Sequence, residues 1–167
     1  DDANALALNN LGAVRLSEKS YTQAVKLVRK AIQINPKEPM FFKNLETIYK
    51  QMGNPSLIIT DYNFYLKEKE DLDLIRGYGM AVGRNMRQAS FRLYNKGYLE
   101  KTILKWVEIE KIYKEIDHQS GLVSVYFSLG ILYEEKGESQ NAKNYFDLVL
   151  KLNPLHIQAK ERLYNIR

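Results

Sequence analysis

The chain has no cysteine and only two histidines and four prolines among its 167 residues. Without cysteine it forms no disulfide, no thiolate metal site and no cysteine nucleophile. Its apolar runs are also short, and none approaches the roughly 20 residues that a membrane-spanning helix needs. We therefore expect a soluble chain without a membrane span, and we favour the cytoplasm over the periplasm or the cell envelope as its compartment.

Side chains that carry catalysis are equally scarce. Both histidines, His118 and His156, fall in predicted turns, without the converging partners that a metal site or acid–base catalysis requires. The glycines of the segment 76–84, RGYGMAVGR, miss the G-x-G-x-x-G spacing of a phosphate loop, and no Gly-Lys-Ser/Thr follows them. We expect no enzyme activity, no cofactor and no metal, and we assign these glycines either to close helix packing or to a kink in an unusually long helix.

Charge is moderate overall, at +5, but unevenly distributed. Between Asp73 and Lys96 this aspartate is the one acidic residue, against five basic ones: Arg76, Arg84, Arg87, Arg92 and Lys96. Such a distribution indicates a local basic patch, whereas proteins that coat nucleic acid are basic over a wider surface. Nucleic acid is therefore an unlikely partner.

Apolar residues recur at intervals of three and four along the whole chain, whereas the alternation typical of strands is nearly absent. Turn signals such as Asn35-Pro36, Gly97 and Asn153-Pro154 separate segments of helical length. The pattern predicts an all-α protein with helices near 3–17, 20–34, 38–52, 55–69, 72–96, 98–116, 120–136, 139–152 and 155–166. Because the links are short, sequential helices should form antiparallel hairpins.

Four segments, starting at residues 5, 39, 83 and 123, share one pattern of residues. It is most complete in the last, which carries Leu129, Gly130, Tyr133, Gly137, Ala142, Phe146 and Pro154. The first carries Leu11, Gly12, Ala24, Ala31 and Pro36, with Lys19 where a glycine is usual. This set resembles the tetratricopeptide repeat, a helical hairpin of 34 residues. The two glycines after leucine, Gly12 and Gly130, are expected where the helices of a hairpin cross closely.

The resemblance implies a right-handed superhelical array of about four hairpins, over residues 5–38, 39–72, 83–116 and 123–156, closed by a capping helix at 155–166. We expect these to form a single domain over 5–166. The spacing of 40 between the last two starts resembles the forty-residue form of the repeat, and we assign its longer turn to residues 114–122. Since the sequence begins without methionine, we expect a longer or processed protein.

In tetratricopeptide repeats, four positions of each first helix line a concave groove. The groove would be basic and aromatic in its middle, which implies a protein or peptide partner with acidic residues. Asn9 also falls on a groove position. The carboxylate clamp of chaperone adaptors does not carry over, because Ala13 and Gln88 stand at two of its positions. The residues that we predict to bind the partner are Lys43, Asn44, Thr47, Arg84, Arg87, Phe91, Tyr94, Phe127 and Ile131.

The predicted function is a non-enzymatic scaffold that holds a partner peptide or protein segment in this groove. The first alternative is a self-assembling scaffold, a homo-oligomer, in which one copy receives another. The second is a helical repeat that binds single-stranded RNA, although the irregular spacing argues against it. A sensor of signalling peptides would need an output domain, which this sequence does not show.

Overall fold

A computed structural model describes residues 2–68 and 71–166 of the chain. In these ranges the regular structure is helical, which confirms the all-α prediction. Each predicted helix end lies within two residues of the observed one, except that the end predicted at Lys69 falls outside the described residues. The helices are α1 (Asp2–Ser17), α2 (Tyr21–Ile34), α3 (Pro39–Gln51), α4 (Leu57–Glu68), α5 (Leu72–Asn95), α6 (Leu99–Glu115), α7 (Gln119–Glu135), α8 (Ser139–Leu152) and α9 (Ile157–Asn165).

The chain divides into two compact units, and the division falls inside α5. Unit 1 ends at Val82 and includes α1 to α4, whereas unit 2 begins at Gly83 and includes α6 to α9. Each unit has its own apolar core. The single domain over 5–166 stays a prediction.

In unit 1, α1 packs against α2, and α2 packs against α3. Gly12 lies where α1 and α2 meet, and a Cβ atom at this position would stand 2.6 Å from Val28 Cγ2. Large apolar side chains from α3 and α4 fill the core, among them Phe41, Leu45 and Ile58, each at most 2% exposed. The absence of a side chain at Gly12 therefore sets the distance between the first two helices.

In unit 2, α7 packs against α6 and α8, and α8 packs against α9. A Cβ atom on Gly130 would stand 2.5 Å from Cε1 of Phe146, a fully buried ring on α8. The expected close crossings at Gly12 and Gly130 are thus confirmed. The assignment of Gly77 and Gly83 to close packing is confirmed as well, because a Cβ atom would collide with Phe42 at the first position and with Tyr113 at the second.

Five of the helices end in the same way. The N–H group three residues past the last residue of the helix donates to a carbonyl five residues back, as Glu138 does to Tyr133 O at 2.9 Å and Ser20 to Arg15 O at 2.8 Å. This is the Schellman motif, in which the residue directly before the N–H donor adopts a left-handed backbone conformation. The five residues with positive φ are Lys19 (58°), Gly53 (75°), Gly97 (76°), Asp117 (50°) and Gly137 (82°).

The longer turn expected at residues 114–122 is wrong. Only residues 116–118 separate α6 from α7, and each of these helices has 17 residues. The left-handed conformation of Asp117 lets the chain reverse within this short link. The additional residues of this repeat therefore lengthen the helices instead of the turn.

Candidate partner-binding site

Five of the predicted residues lie on two helices of unit 2. Arg87, Phe91 and Tyr94 are spaced by four and three residues on α5, and Phe127 and Ile131 are spaced by four on α7, so each set shares one side of its helix. Phe91 is 54% exposed and Tyr94 is 42% exposed, whereas the other three are half-buried. We call these five residues the α5/α7 face.

A hydrogen bond joins the two helices at one end of this face. The Tyr94 hydroxyl donates to Glu135 Oε2 at 2.9 Å, and this bond raises the pKa of Tyr94. The preceding residue, Glu134, pairs with α9, because its Oε2 atom lies 3.1 Å from Nη1 of Arg162. The carboxylates at the end of α7 therefore link α5, α7 and α9. Arg162 offsets the charge of Glu134, so Glu135 gives this end of the face an acidic rim.

The opposite end of the face is cationic and centres on Arg87. Its guanidinium lies 5.8 Å from the centre of the Trp106 ring, and the Phe91 ring meets the same indole edge-on at 6.0 Å. The Arg87 Nε atom is buried, and no residue in the described part of the chain accepts a hydrogen bond from it. A buried donor without an acceptor costs free energy.

The pKa of His118 is affected by the positive charge at this end of the face. Burial lowers the pKa of His118, and the charges of Arg87 and Arg84 lower it further. Arg84, another predicted binding residue, is half-buried one turn before Arg87 on α5. Two guanidinium charges therefore act on one small region, which disfavours a further cation there and favours an anion.

Phe127 is held in place by neighbours on both sides. Its ring centre lies 5.8 Å from that of Phe146 and 4.8 Å from that of His156. His156 in turn caps α9, because its Nδ1 atom accepts the N–H of Ala159 at 3.2 Å. Sequence reasoning assigned both histidines to turns and found no link to the site, since only the folded chain brings them beside Arg87 and Phe127.

The other three predicted residues lie on α3 of unit 1. Lys43 and Thr47 are exposed, and the Thr47 hydroxyl donates to the Lys43 carbonyl at 2.9 Å. The Asn44 side chain donates to Asn9 Oδ1 of α1 at 2.8 Å. The prediction that Asn9 lines a groove is wrong, because Asn9 is only 2% exposed and serves to join α1 to α3.

Sequence reasoning missed a polar network in unit 1. Asp61 accepts from Arg29 Nη2 at 2.5 Å and from the Tyr49 hydroxyl at 2.6 Å, while Arg29 Nε donates to the same hydroxyl at 3.1 Å. Burial raises the pKa of Asp61, and the bonds from Tyr49 and Arg29 act in the opposite direction. Nothing local in the sequence indicated that Tyr49 would have partners on α2 and α4.

Residues 2–68 and 71–166 lack both a cluster of metal-ligating side chains and a membrane-spanning helix. These residues contain no group of three or more histidine, aspartate or glutamate side chains that could hold a metal ion. They also include no helix that is both long enough and apolar enough to span a membrane.

Together the hairpins, the close glycine crossings and the shared helix ends define a helical-repeat protein. The sequence profile of the tetratricopeptide repeat matches residues 5–38 and 123–154. The "Uncharacterized protein ycf37" of Pyropia yezoensis is 30% identical over 140 residues, which cover 77% of this chain and 75% of the relative. The chain belongs to the tetratricopeptide repeat family. The fold suggests a protein–protein interaction scaffold, and the family is generally a non-enzymatic interaction module.

Two solved structures are similar over almost the whole chain. That of pilF from Pseudomonas aeruginosa is 20% identical, with coverage of 99% of this chain and 68% of that one and a TM-score of 0.39. That of the first TPR of Spaghetti (RPAP3) bound to the HSP90 peptide SRMEEVD is 16% identical, with coverage of 99% and 92% and a TM-score of 0.34.

Proposed function

We propose that this protein is a non-enzymatic scaffold that binds a segment of a protein partner on the α5/α7 face. The observation that carries this proposal is the half-buried guanidinium of Arg87, which lies over Trp106 on the same side of α5 as the exposed rings of Phe91 and Tyr94. A carboxylate of the partner would accept from the Nη groups of Arg87 in the two-pronged manner that guanidinium favours.

Apolar contact would supply much of the remaining affinity. Phe91 presents a large exposed ring, although its edge-on contact with Trp106 already holds it in position. A preorganised aromatic side chain loses little conformational entropy when a partner covers it. An aliphatic or aromatic side chain near the partner's acidic residue would lie against Phe91 and Ile131.

The two ends of the face differ in charge, which favours one orientation of a bound partner. Glu135 lies at the end opposite Arg87, so a second acidic residue of the partner is disfavoured there. We expect the partner's carboxylate at the Arg87 end and a neutral or basic residue near Glu135. Lys43, Asn44, Thr47 and Arg84 remain proposed contacts, of which Lys43 and Thr47 are exposed.

Selection from a random peptide display library, with the purified chain as bait, tests this function. We expect enriched peptides to combine an acidic residue with a neighbouring large apolar residue. Binding of the enriched peptides is then measured by fluorescence anisotropy for the parent chain, for Arg87→Gln and for the matched control Arg92→Gln. Arg92 is an exposed residue of the same helix on a different side, so both variants lose one charge from α5.

The loss of one charge-assisted hydrogen-bond donor should weaken binding at least about tenfold for Arg87→Gln. Arg92→Gln should stay within about twofold of the parent, because only a screened long-range interaction changes. Circular dichroism confirms that the variants are folded. The proposal is wrong if no peptide is enriched, or if both variants bind the enriched peptides equally well.

Self-association is a second candidate function, because the C-terminal end of unit 2 exposes large apolar side chains. Leu155 is 81% exposed, Ile157 is 69% exposed and Tyr164 is 84% exposed. A homo-oligomer that used this end would show a molecular mass that rises with concentration in light scattering, and Ile157→Lys would abolish that rise. A constant monomer mass would exclude it.

A further inference from the structure

One side of α2 in unit 1 is polar and carries only positive charge. Lys26, Arg29 and Lys30 are spaced by three and one residues, which places them on the same side of the helix. The 14 residues of α2 include no aspartate or glutamate. Within the described part of the chain, neither Lys26 nor Lys30 forms an ion pair, so their charges are not offset by a carboxylate.

These three side chains line a surface cavity of about 480 Å³. The opposite wall comes from the connection between α3 and α4 and is largely apolar, with Met52 and Leu57 beside Val25 of α2. A volume of this size lies within the range of about 300 to 1,000 Å³ that is typical of small-molecule sites. It exceeds what a bare oxyanion would fill, so a ligand here has both an anionic group and an apolar body.

Arg29 is positioned for such a ligand by the network beneath it. Its Nε atom donates to Tyr49 and its Nη2 atom to Asp61, while its side chain remains 42% exposed at the cavity. A guanidinium fixed on one edge presents its remaining N–H groups in a constant direction. Asp61 offsets the charge of Arg29, which leaves Lys26 and Lys30 as a surplus of two positive charges.

We propose that this cavity binds a soluble phosphate monoester with an aromatic or apolar body. A phosphate monoester carries about −1.5 to −2 charges near neutral pH, which matches the surplus on α2 better than the single charge of a carboxylate does. Its three terminal oxygens accept from the two ammonium groups and from the guanidinium. The body of the ligand packs on Val25, Met52 and Leu57. This site lies in unit 1 and is independent of the α5/α7 face.

The test is an NMR titration of the ¹⁵N-labelled full chain with phenyl phosphate, followed in amide spectra. Inorganic phosphate and phenol, the two halves of the probe, are titrated in parallel. We expect the amides of α2 and of the α3–α4 connection to shift together. Phenyl phosphate should bind at least about tenfold more tightly than inorganic phosphate, because burial of the ring adds apolar contact.

The variant that removes the charge surplus is Lys26→Gln/Lys30→Gln. Both side chains are exposed, so the fold should not depend on them. This variant should raise the Kd for phenyl phosphate at least about tenfold. The matched control Lys50→Gln/Lys67→Gln removes two exposed lysines of unit 1 that do not line the cavity, and it should leave the Kd within about twofold.

Three results would overturn the proposal. The first is equal binding of phenyl phosphate and inorganic phosphate. The second is an equal loss of affinity in both double variants. Either result would show that phenyl phosphate binds only by non-specific charge attraction. The third distinguishes a lipid headgroup from a soluble ligand. If vesicles of phosphatidic acid retain the parent but not Lys26→Gln/Lys30→Gln, while phenyl phosphate produces no shifts, the site takes a membrane surface instead of a soluble monoester.

Discussion

Gly130 controls how closely α7 and α8 approach each other. The ring of Phe146 occupies the space that a Cβ atom at this position would need, and this ring is fully buried. We expect Gly130→Ala to destabilise the fold by about 2 kcal/mol through overpacking, although alanine is the better helix former by about 1 kcal/mol. Gly130→Leu should be worse. Urea denaturation measures the change in the free energy of unfolding, with Ser128→Ala on the same helix as a control that should be nearly neutral.

Lys19 adopts a backbone conformation that its side chain disfavours. Its φ of 58° is that of the residues at the other helix ends of this type, three of which are glycines. We expect Lys19→Gly to stabilise the protein by about 1 kcal/mol, because the left-handed conformation costs a residue with a Cβ atom about that much. Thermal and urea denaturation measure the gain. Lys19→Ala is the matched control, since it removes the charge but keeps the Cβ atom; an equal gain from alanine would contradict the backbone explanation.

His118 should make stability depend on pH. Because burial and the charges of Arg87 and Arg84 lower its pKa in the folded state, the unfolded chain takes up a proton at this residue more readily than the folded chain does. Its contribution to stability is therefore present above about pH 6.5 and is lost as the pH falls below that value. We expect the melting temperature to fall between about pH 7.5 and 5.5, and to fall less in His118→Asn. An identical decrease in both proteins would exclude His118 as the cause.

At the scale of secondary-structure elements, the Arg29–Tyr49–Asp61 network joins α2, α3 and α4. Asp61 is only 7% exposed, so removal of Arg29 leaves a buried carboxylate without its counter-ion. We expect Arg29→Met to destabilise the protein by about 2 kcal/mol, less than for a fully buried pair, because the Arg29 side chain is 42% exposed.

A double-mutant cycle isolates this coupling. The double variant Arg29→Met/Asp61→Leu removes both charges, so it should be less destabilised than the sum of the two single variants. Additive losses in urea denaturation would show that the two side chains do not depend on each other.

The helices were predictable from sequence because their signals are local. The three- and four-residue spacing of apolar side chains and the glycines at 53, 97 and 137 placed helix ends within two residues of those observed. The turn at Asp117 was not predictable in the same way, because a non-glycine residue in a left-handed conformation leaves no compositional mark. Likewise, Asp61 lies 32 positions from Arg29, so their ion pair follows only from the packing of α2 against its neighbours.

At the scale of the site, the periodicity of α5 correctly placed Arg87, Phe91 and Tyr94 on one side of that helix. Spacing within a helix could not show which residues of other helices would meet them. Trp106 beneath Arg87 and Glu135 opposite Tyr94 are contacts that only the tertiary structure reveals. Partner binding by the predicted residues stays a prediction. The comparison of Arg87→Gln with Arg92→Gln tests it.

At the scale of the whole molecule, the two compact units should respond separately to mutation. In repeat proteins each element contacts mainly its neighbours along the chain, so stability is approximately a sum of local terms. Gly130→Ala lies in unit 2, and Arg29→Met lies in unit 1. Hydrogen exchange of backbone amides, followed by mass spectrometry, should show faster exchange in α7 and α8 for the first variant and in α2 to α4 for the second. Equal acceleration of exchange in all helices by both variants would contradict this prediction. It would show that the chain unfolds as one cooperative structure and not as two units divided after Val82.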